Sequence, residues 1–189
     1  MRIITKEELS FSTKNYVVNK IEEGTVFIHP TDTIYGLGCN ASDSKAVGLI
    51  RKIKQRPLTP FSVIAPSKKW ILENCNVNDD AKEWINKLPG PYTLILTKKN
   101  AKIAGNVAPN VNTIGIRIPN HWFSSIVSEL GFPVVTTSAN ITSENFMTSL
   151  EDLDDKIKSQ IDFILYEGEK SGRPSTIIDL TKNAQIIER

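Results

Sequence analysis

Short apolar runs rich in Val, Ile, Phe and Thr recur along this chain, and none is long enough to make a stable helix alone. They read as buried strands over 25–28, 61–65, 93–97, 113–118, 134–136, 163–166, 176–180 and 185–187. Helical punctuation lies between them. Thr5 and Glu8 form a capping-box pair, which predicts a helix over about 6–22, ended by Gly24. Ser42 or Asp43 opens a second helix through about Ile53, with Ala46, Leu49, Ile50 and Ile53 on one face. Further helices are expected over 68–75, 79–87, 121–130 and 149–159. The helix over 121–130 ends at Gly131, and the one over 149–159 is acidic at its start and basic near its end. Strands interleaved with helices predict an α/β or α+β chain around a mostly central sheet.

The 189 residues suit one domain, 1–189, because about 150 residues per domain is typical. A hydrophobic content of 40% can fill a sizeable core. A net charge of +2 permits contact with a polyanion without demanding it. Cys39 and Cys75 stand apart with no CxxC spacing, which speaks against a metal site or disulfide framework and fits reduced thiols in the cytoplasm. The opening MRIITKEELS has no signal-peptide core, and no window approaches the roughly 18 apolar residues of a membrane span.

Four segments carry chemistry. In IHPTDTIYGLG, residues 28–38, an apolar strand gives way to Thr31, Asp32, Thr33 and Tyr35, with Gly36 and Gly38 allowing close approach. Such strand ends commonly bind ligands in α/β proteins, although a plain turn can use the same residues. Lys52, Lys54 and Arg56, with Arg51, form a cationic cluster at a helix end, suited either to the helix dipole or to an anion. Thr136-Thr137-Ser138-Ala139-Asn140 again puts hydroxyls and an amide at a strand end. Ser171 to Thr176 pairs Arg173 with hydroxyls before a strand. Arg117 lies between isoleucines, a place that calls for an anionic partner. His29 and His121 read as structural, and neither a P-loop nor a GxGxxG fingerprint is present. Hydroxyls with Lys and Arg suit binding a nucleotide beside an amino acid, with catalysis by positioning and charge stabilisation.

The ordered set PTDTIYGLG (30–38), KQRP (54–57), PGPYTLIL (89–96), GIRIP (115–119), TSAN (137–140) and STIID (175–179) resembles the YrdC family, the threonylcarbamoyl-AMP synthases, over 3–189. The resemblance implies an α/β fold, a twisted mixed sheet with flanking helices around a positively charged cavity. It implies synthesis of threonylcarbamoyl-adenylate and pyrophosphate from L-threonine, bicarbonate and ATP, with Mg2+ held mainly by the phosphates. A downstream transferase complex would carry the group to tRNA, which this chain would meet indirectly or weakly. Lys54 and Arg56 look like the family's catalytic KxR pair, and Ser138 and Asn140 like its SxN pair. Thr31, Thr33, Tyr35, Arg117, Thr137 and Ser175 are then threonine contacts, with Arg117 on the carboxylate. The ATP contacts are Lys54, Arg56, Thr59, Thr113, Ser138, Asn140 and Arg189.

Departures from the family pattern are Thr59-Pro60-Phe61 where many relatives have Asn-Pro-Leu, Ile64 in place of a histidine, and Ile141-Thr142-Ser143 where many have Ser-Gly. The length fits the short, single-domain type rather than the form with an added C-terminal domain. The rival readings are an RNA-binding module of the same fold without adenylate synthesis, and a divergent paralogue with other chemistry.

Overall fold

The computed structural model describes residues 1–182 and 184–187. The chain runs β1 (Arg2–Thr5), α1 (Phe11–Glu22), β2 (Phe27–His29), β3 (Gly36–Gly38), α2 (Ser44–Lys54), β4 (Ser62–Ile64), α3 (Lys68–Asn74), β5 (Cys75–Asn76), α4 (Asp79–Asn86) and β6 (Tyr92–Lys98). It continues through β7 (Thr113–Arg117), α5 (Phe123–Leu130), β8 (Val134–Ser138), α6 (Asp155–Lys158), β9 (Phe163–Tyr166), β10 (Thr176–Asp179) and β11 (Gln185–Ile187). The strands make one mixed sheet in the order β1-β9-β2-β3-β8-β4-β7-β6-β10-β11, with β5 pairing β6.

Period-two alternation divides the core between the two faces of this sheet. Phe27, Ile64, Val134 and Phe163 point to one face, where α1 packs Val17 and Ile21 and α5 packs Phe123, Ile126 and Val127. Ile28, Val63, Val135 and Ile164 point to the other, against Val47, Ile50 and Ile53 of α2, Ile71 of α3, Ile85 of α4 and Ile157 of α6. The result is a mixed α/β sheet with flanking helices: the strand and helix signals predict the central sheet, and the family resemblance implies its mixed character.

The differences from the sequence expectations have local causes. The Glu8 carboxylate does accept the Thr5 N–H at 2.7 Å, but Thr5 pairs with Tyr166 in the sheet. Helix α1 therefore begins five residues later, capped by the Ser10 hydroxyl on the Thr13 N–H. Strand pairing outweighs the local capping signal. Strand β3 lies inside the opening loop, where two glycines argue against a strand. They are needed there: a Cβ on Gly36 would sit 2.9 Å from His29 Nε2, and one on Gly38 2.9 Å from His29 Cδ2. The helix expected over 149–159 shortens to α6, capped by Asp154 on the Lys156 N–H. The Thr148 hydroxyl donates to the Asp152 carboxylate, and that turn precedes α6.

Candidate active site

The sheet register lays a row of small residues across its middle. Thr136 of β8 pairs with Ser62 of β4, Ser62 with Gly115 of β7, and Gly115 with Ile95 of β6. A Cβ on Gly115 would come within 2.6 Å of Ser62 Oγ, so the glycine makes room for the serine on that face. Above this row lies a polar cavity of about 130 Å³, lined by Thr31, Tyr35, Arg56, Arg117, Thr137 and Ser175 among others. Its charged lining residues, among those described, are the two arginines. A more apolar cavity of about 190 Å³ adjoins it and is lined by Thr113, Ile95, Ile114 and Ile177. Pro60, Phe61, Ser62 and Thr93 line both.

The opening loop is set by its own hydroxyls. Thr31 Oγ1 donates to the Ile34 carbonyl at 2.7 Å and accepts the Thr33 N–H at 3.1 Å, a turn that needs threonine at this spacing. Tyr35 is fully buried, and its ring forms part of the cavity wall. Its hydroxyl turns away, donating to the Gly168 carbonyl at 2.6 Å and accepting the Glu167 N–H at 3.1 Å. Burial pushes its pKa up to about 12, so it stays a neutral donor. Arg117 ends β7 beside this loop. Among the described residues Asp32 is an anionic partner, 2.7 Å away, and Arg117 also donates to Thr33 Oγ1 at 3.2 Å. Asp32 completes the corner by accepting the Asn120 N–H at 2.9 Å. Thr33 stands behind Thr31 rather than in the cavity lining.

The KQRP segment is shaped by the end of α2. Gln55 takes a left-handed conformation at φ 50°, and the Arg56 N–H closes onto the Arg51 carbonyl at 3.0 Å. That sharp stop sends Lys54 inward and Arg56 toward the cavity. Lys54 is buried, and its ammonium donates to the Ser138 carbonyl at 2.7 Å, the Asn140 carbonyl at 2.8 Å and Asn140 Oδ1 at 2.9 Å. Burial, and then the Arg56 charge, lower its pKa to about 7, while the three acceptors work the other way. Ser138 Oγ donates to Asn140 Oδ1 at 2.6 Å, so the KxR lysine and the SxN pair form one cluster against the cavity edge.

Arg51 is a staple: its guanidinium donates to the carbonyls of Arg56, Thr59, Asn106 and Val107 and lies over the Phe61 ring at 4.4 Å. Arg56 bonds the Pro60 carbonyl at 2.9 Å and also lies over Phe61, at 5.4 Å. Phe61, at one of the departures from the family pattern, thus carries both guanidinium groups. Ile64, at another, is fully buried beneath α5 and lines neither cavity.

Ser175 is buried in the lining and shares a 2.7 Å hydrogen bond with Thr93 Oγ1. Thr113 lies at the apolar cavity. Thr59 is exposed and lines neither cavity, because the chain holds it by its carbonyl and leaves the side chain outward. Arg189 lies outside the described residues. Ser62 lies outside every motif, while Thr93 and Thr136 lie inside the PGPYTLIL and TTSAN stretches without being among the expected contacts. All three are small polar residues that line the cavity from otherwise apolar strands.

His29 and Cys39 are packed groups. Burial pulls the His29 pKa down to about 3, and burial pushes the Cys39 thiol up, which leaves neither a ready nucleophile or base at neutral pH. Both cysteines are free thiols. Among the described residues, no helix is long and apolar enough to cross a membrane.

Comparison with known proteins agrees with this architecture. Residues 19–189 match the Sua5/YciO/YrdC family, described under the heading telomere recombination. A provisionally named threonylcarbamoyl-AMP synthase of Methanocaldococcus jannaschii is 38% identical over 187 residues, which cover 97% of this chain and 87% of that protein. The uncharacterised protein YciO of Escherichia coli K12 is 30% identical over 93% of this chain and 87% of its own length. The crystal structure of P. abyssi Sua5 complexed with L-threonine superposes with a TM-score of 0.87 at 28% identity. It covers 99% of this chain, which spans only 56% of that larger protein. From these matches and the shared sheet architecture, the chain belongs to the Sua5/YciO/YrdC family.

Proposed function

We propose that this chain is an L-threonylcarbamoyladenylate synthase, working as one domain, that converts L-threonine, bicarbonate and ATP to threonylcarbamoyl-AMP, pyrophosphate and water. The observation that carries the reading is the pair of adjoining cavities: a polar one walled by arginines and hydroxyls, and an apolar one sharing its Pro60-Phe61-Ser62 wall. A small zwitterion fits the first and a nucleobase the second, which sets the α-phosphate at their junction. In this reading Arg117 takes the threonine carboxylate, with Thr31, Thr137 and Ser175 on the side chain and amine. Tyr35 supplies a wall, and Thr33 holds Arg117 and Thr31 in place. Thr113 belongs to the nucleoside end.

The neutral amine attacks the carbon of bicarbonate, one of whose oxygens leaves as water with the amine's proton, and the resulting carbamate oxygen attacks the α-phosphorus, expelling pyrophosphate. Arg56 faces the cavity where negative charge accumulates and offsets it. Lys54 acts with Ser138 and Asn140. A direct phosphate contact from its ammonium requires giving up one of the three acceptors that it now holds. Any magnesium would be held by the phosphates. Among the described residues no group of three His, Cys, Asp or Glu side chains could hold an ion, and Asp32 is engaged by Arg117 and Asn120. The product would pass to a transferase acting on tRNA.

The test is pyrophosphate release from ATP and bicarbonate with varied amino acids, on the wild type and on Lys54→Ala. Release that requires L-threonine, is weaker with L-serine and falls in the variant supports the synthase. Amino-acid-independent release points to a divergent paralogue, a reading favoured by the similarity to uncharacterised YciO. No release together with tight RNA binding points to a binding module.

A further inference from the structure

The segment between β9 and β10 carries a partly buried polar network that the chemistry above does not use. The Glu167 carboxylate accepts from His121 Nε2 at 2.8 Å, from Trp122 Nε1 at 2.6 Å and from the Lys170 ammonium. His121 Nδ1 accepts the Phe123 N–H at 3.2 Å, which leaves the ring proton on Nε2 for Glu167. Burial lowers the His121 pKa, so a neutral imidazole makes this bond. Lys170 then reaches the opening loop and donates to the Thr31 carbonyl at 2.9 Å. The same segment meets the loop twice more. The Tyr35 hydroxyl bridges the Glu167 N–H and the Gly168 carbonyl, and Gly172 lies where a Cβ would be 2.3 Å from the Thr33 carbonyl oxygen.

Residues 167–172 therefore grip Thr31, Thr33 and Tyr35 from behind, and Glu167 itself lines neither cavity. The Lys170 and Glu167 side chains are only 15% and 19% exposed. Desolvating two charges is costly, and an exposed loop could be braced without it. What the arrangement supplies is a defined geometry: the carboxylate collects donors from the approach to α5, while the ammonium passes that constraint on to Thr31.

We propose that Glu167, acting through Lys170, is a positioning residue that sets the 31–35 loop for a small hydroxyl-bearing amino acid. The proposal rests on the synthase reading. Glu167 touches no reacting atom, so its loss should change amino-acid recognition and leave the nucleotide side alone.

The experiment is steady-state pyrophosphate release by the full chain for the wild type, Glu167→Gln, Lys170→Met, Lys170→Arg and the Glu167→Gln/Lys170→Met double variant, with melting temperatures alongside. In Glu167→Gln and Lys170→Met, KM for L-threonine should rise about five- to twentyfold and the preference for threonine over serine should shrink, with KM for ATP and kcat within about twofold. The double variant should be no worse than the weaker single one, because both act through one connection. Lys170→Arg, which keeps a donor for Thr31 and Glu167, should recover most of the affinity. An unchanged threonine KM in the variants overturns the proposal while the synthase reading stands. So does a parallel rise in both KM values with a fall in melting temperature, which marks general loosening. A wild type without threonine-dependent release overturns the synthase reading and this proposal with it.

Discussion

His29 should make the stability of this protein fall as the solution is acidified, by an amount its surroundings set. The imidazole is fully buried and stacks on Phe123 with ring centres 4.5 Å apart. Nδ1 lies 3.2 Å from the Pro30 carbonyl, which places the single proton there. Nε2 has no hydrogen-bonding partner among the described residues and lies under Gly36. A second proton would put a charge into an apolar stack, so burial lowers the pKa from 6.5 to about 3. In the unfolded chain the ring titrates near 6.5. Between those values the unfolded state binds a proton that the folded state refuses. Stability is therefore whole above about pH 6.5 and drains by about 1.4 kcal/mol per pH unit until about pH 3, where both states are protonated. At pH 4.5, about two units into that window, the loss is roughly 3 kcal/mol.

The assay is urea unfolding of the wild type and of His29→Phe from pH 4.5 to 7.5. Phenylalanine keeps an aromatic ring against Phe123 and cannot titrate. Its bulk and the lost bond to Pro30 give a pH-independent offset, so the informative quantity is the change in the difference between the two proteins. That difference should move by roughly 3 kcal/mol in favour of the variant on going from pH 7.5 to 4.5. A difference constant to about 0.5 kcal/mol across the range would refute the reasoning, because it would mean that the folded state accommodates the charged ring.

Other outcomes follow from the same contacts. Lys54→Met leaves the carbonyls of Ser138 and Asn140 without their donor, so urea unfolding should show a loss of about 2–4 kcal/mol, and threonine-dependent pyrophosphate release should fall at least about a hundredfold. Gly36→Ala places a Cβ 2.9 Å from His29 Nε2 and 3.1 Å from Thr136 Oγ1 and should cost about 1–3 kcal/mol by the same measurement. Gln55→Gly relieves the left-handed backbone at φ 50° and should raise stability by about 0.5–1 kcal/mol, read as a higher melting temperature. Thr59→Ala removes an exposed side chain outside both cavities and should change stability by less than about 0.5 kcal/mol, with pyrophosphate release unaltered.

Most of the strands and helices are legible in the sequence because their apolar period survives without knowledge of partners. The strand at Phe163–Tyr166 and the amphipathic helix at Ser44–Lys54 need only local pattern. Strand β1 is hidden because Thr5 and Glu8 present a competent capping pair and only the distant Tyr166 decides against it. Strand β3 is hidden because its sequence is Gly-Leu-Gly, and its reason for being a strand is the ring of His29 across the pair. The candidate functional segments stand out for a different reason. Hydroxyls and cations at strand ends have no packing role to explain them, so they stand out even before their neighbours are known. What stays hidden is who meets whom. Arg117 clearly needs an anion, but nothing local says that Asp32, 85 positions away, supplies one. Glu167 looks like an ordinary exposed acid until the fold delivers His121, Trp122 and Lys170 to it.

The residues that break local rules are concentrated around the cavities. Gly36 and Gly115 sit in strands, Arg117 ends an apolar strand, Gln55 is left-handed, and Lys54 is a buried ammonium. Each costs free energy where it stands, and a chain selected only for stability would replace them. Their costs are offset by different parts of the fold: the His29 stack for Gly36, the Asp32 corner for Arg117, and the Ser138-Asn140 turn for Lys54. Those supports come from separate stretches of chain that meet only once β3, β8, β4 and β7 are aligned in the sheet. The cavity is thus a product of strand order and register. A register slip between β4 and β8 would move Ser62 away from Thr136 and bury it in the core, removing the floor of the site while leaving every motif in the sequence intact.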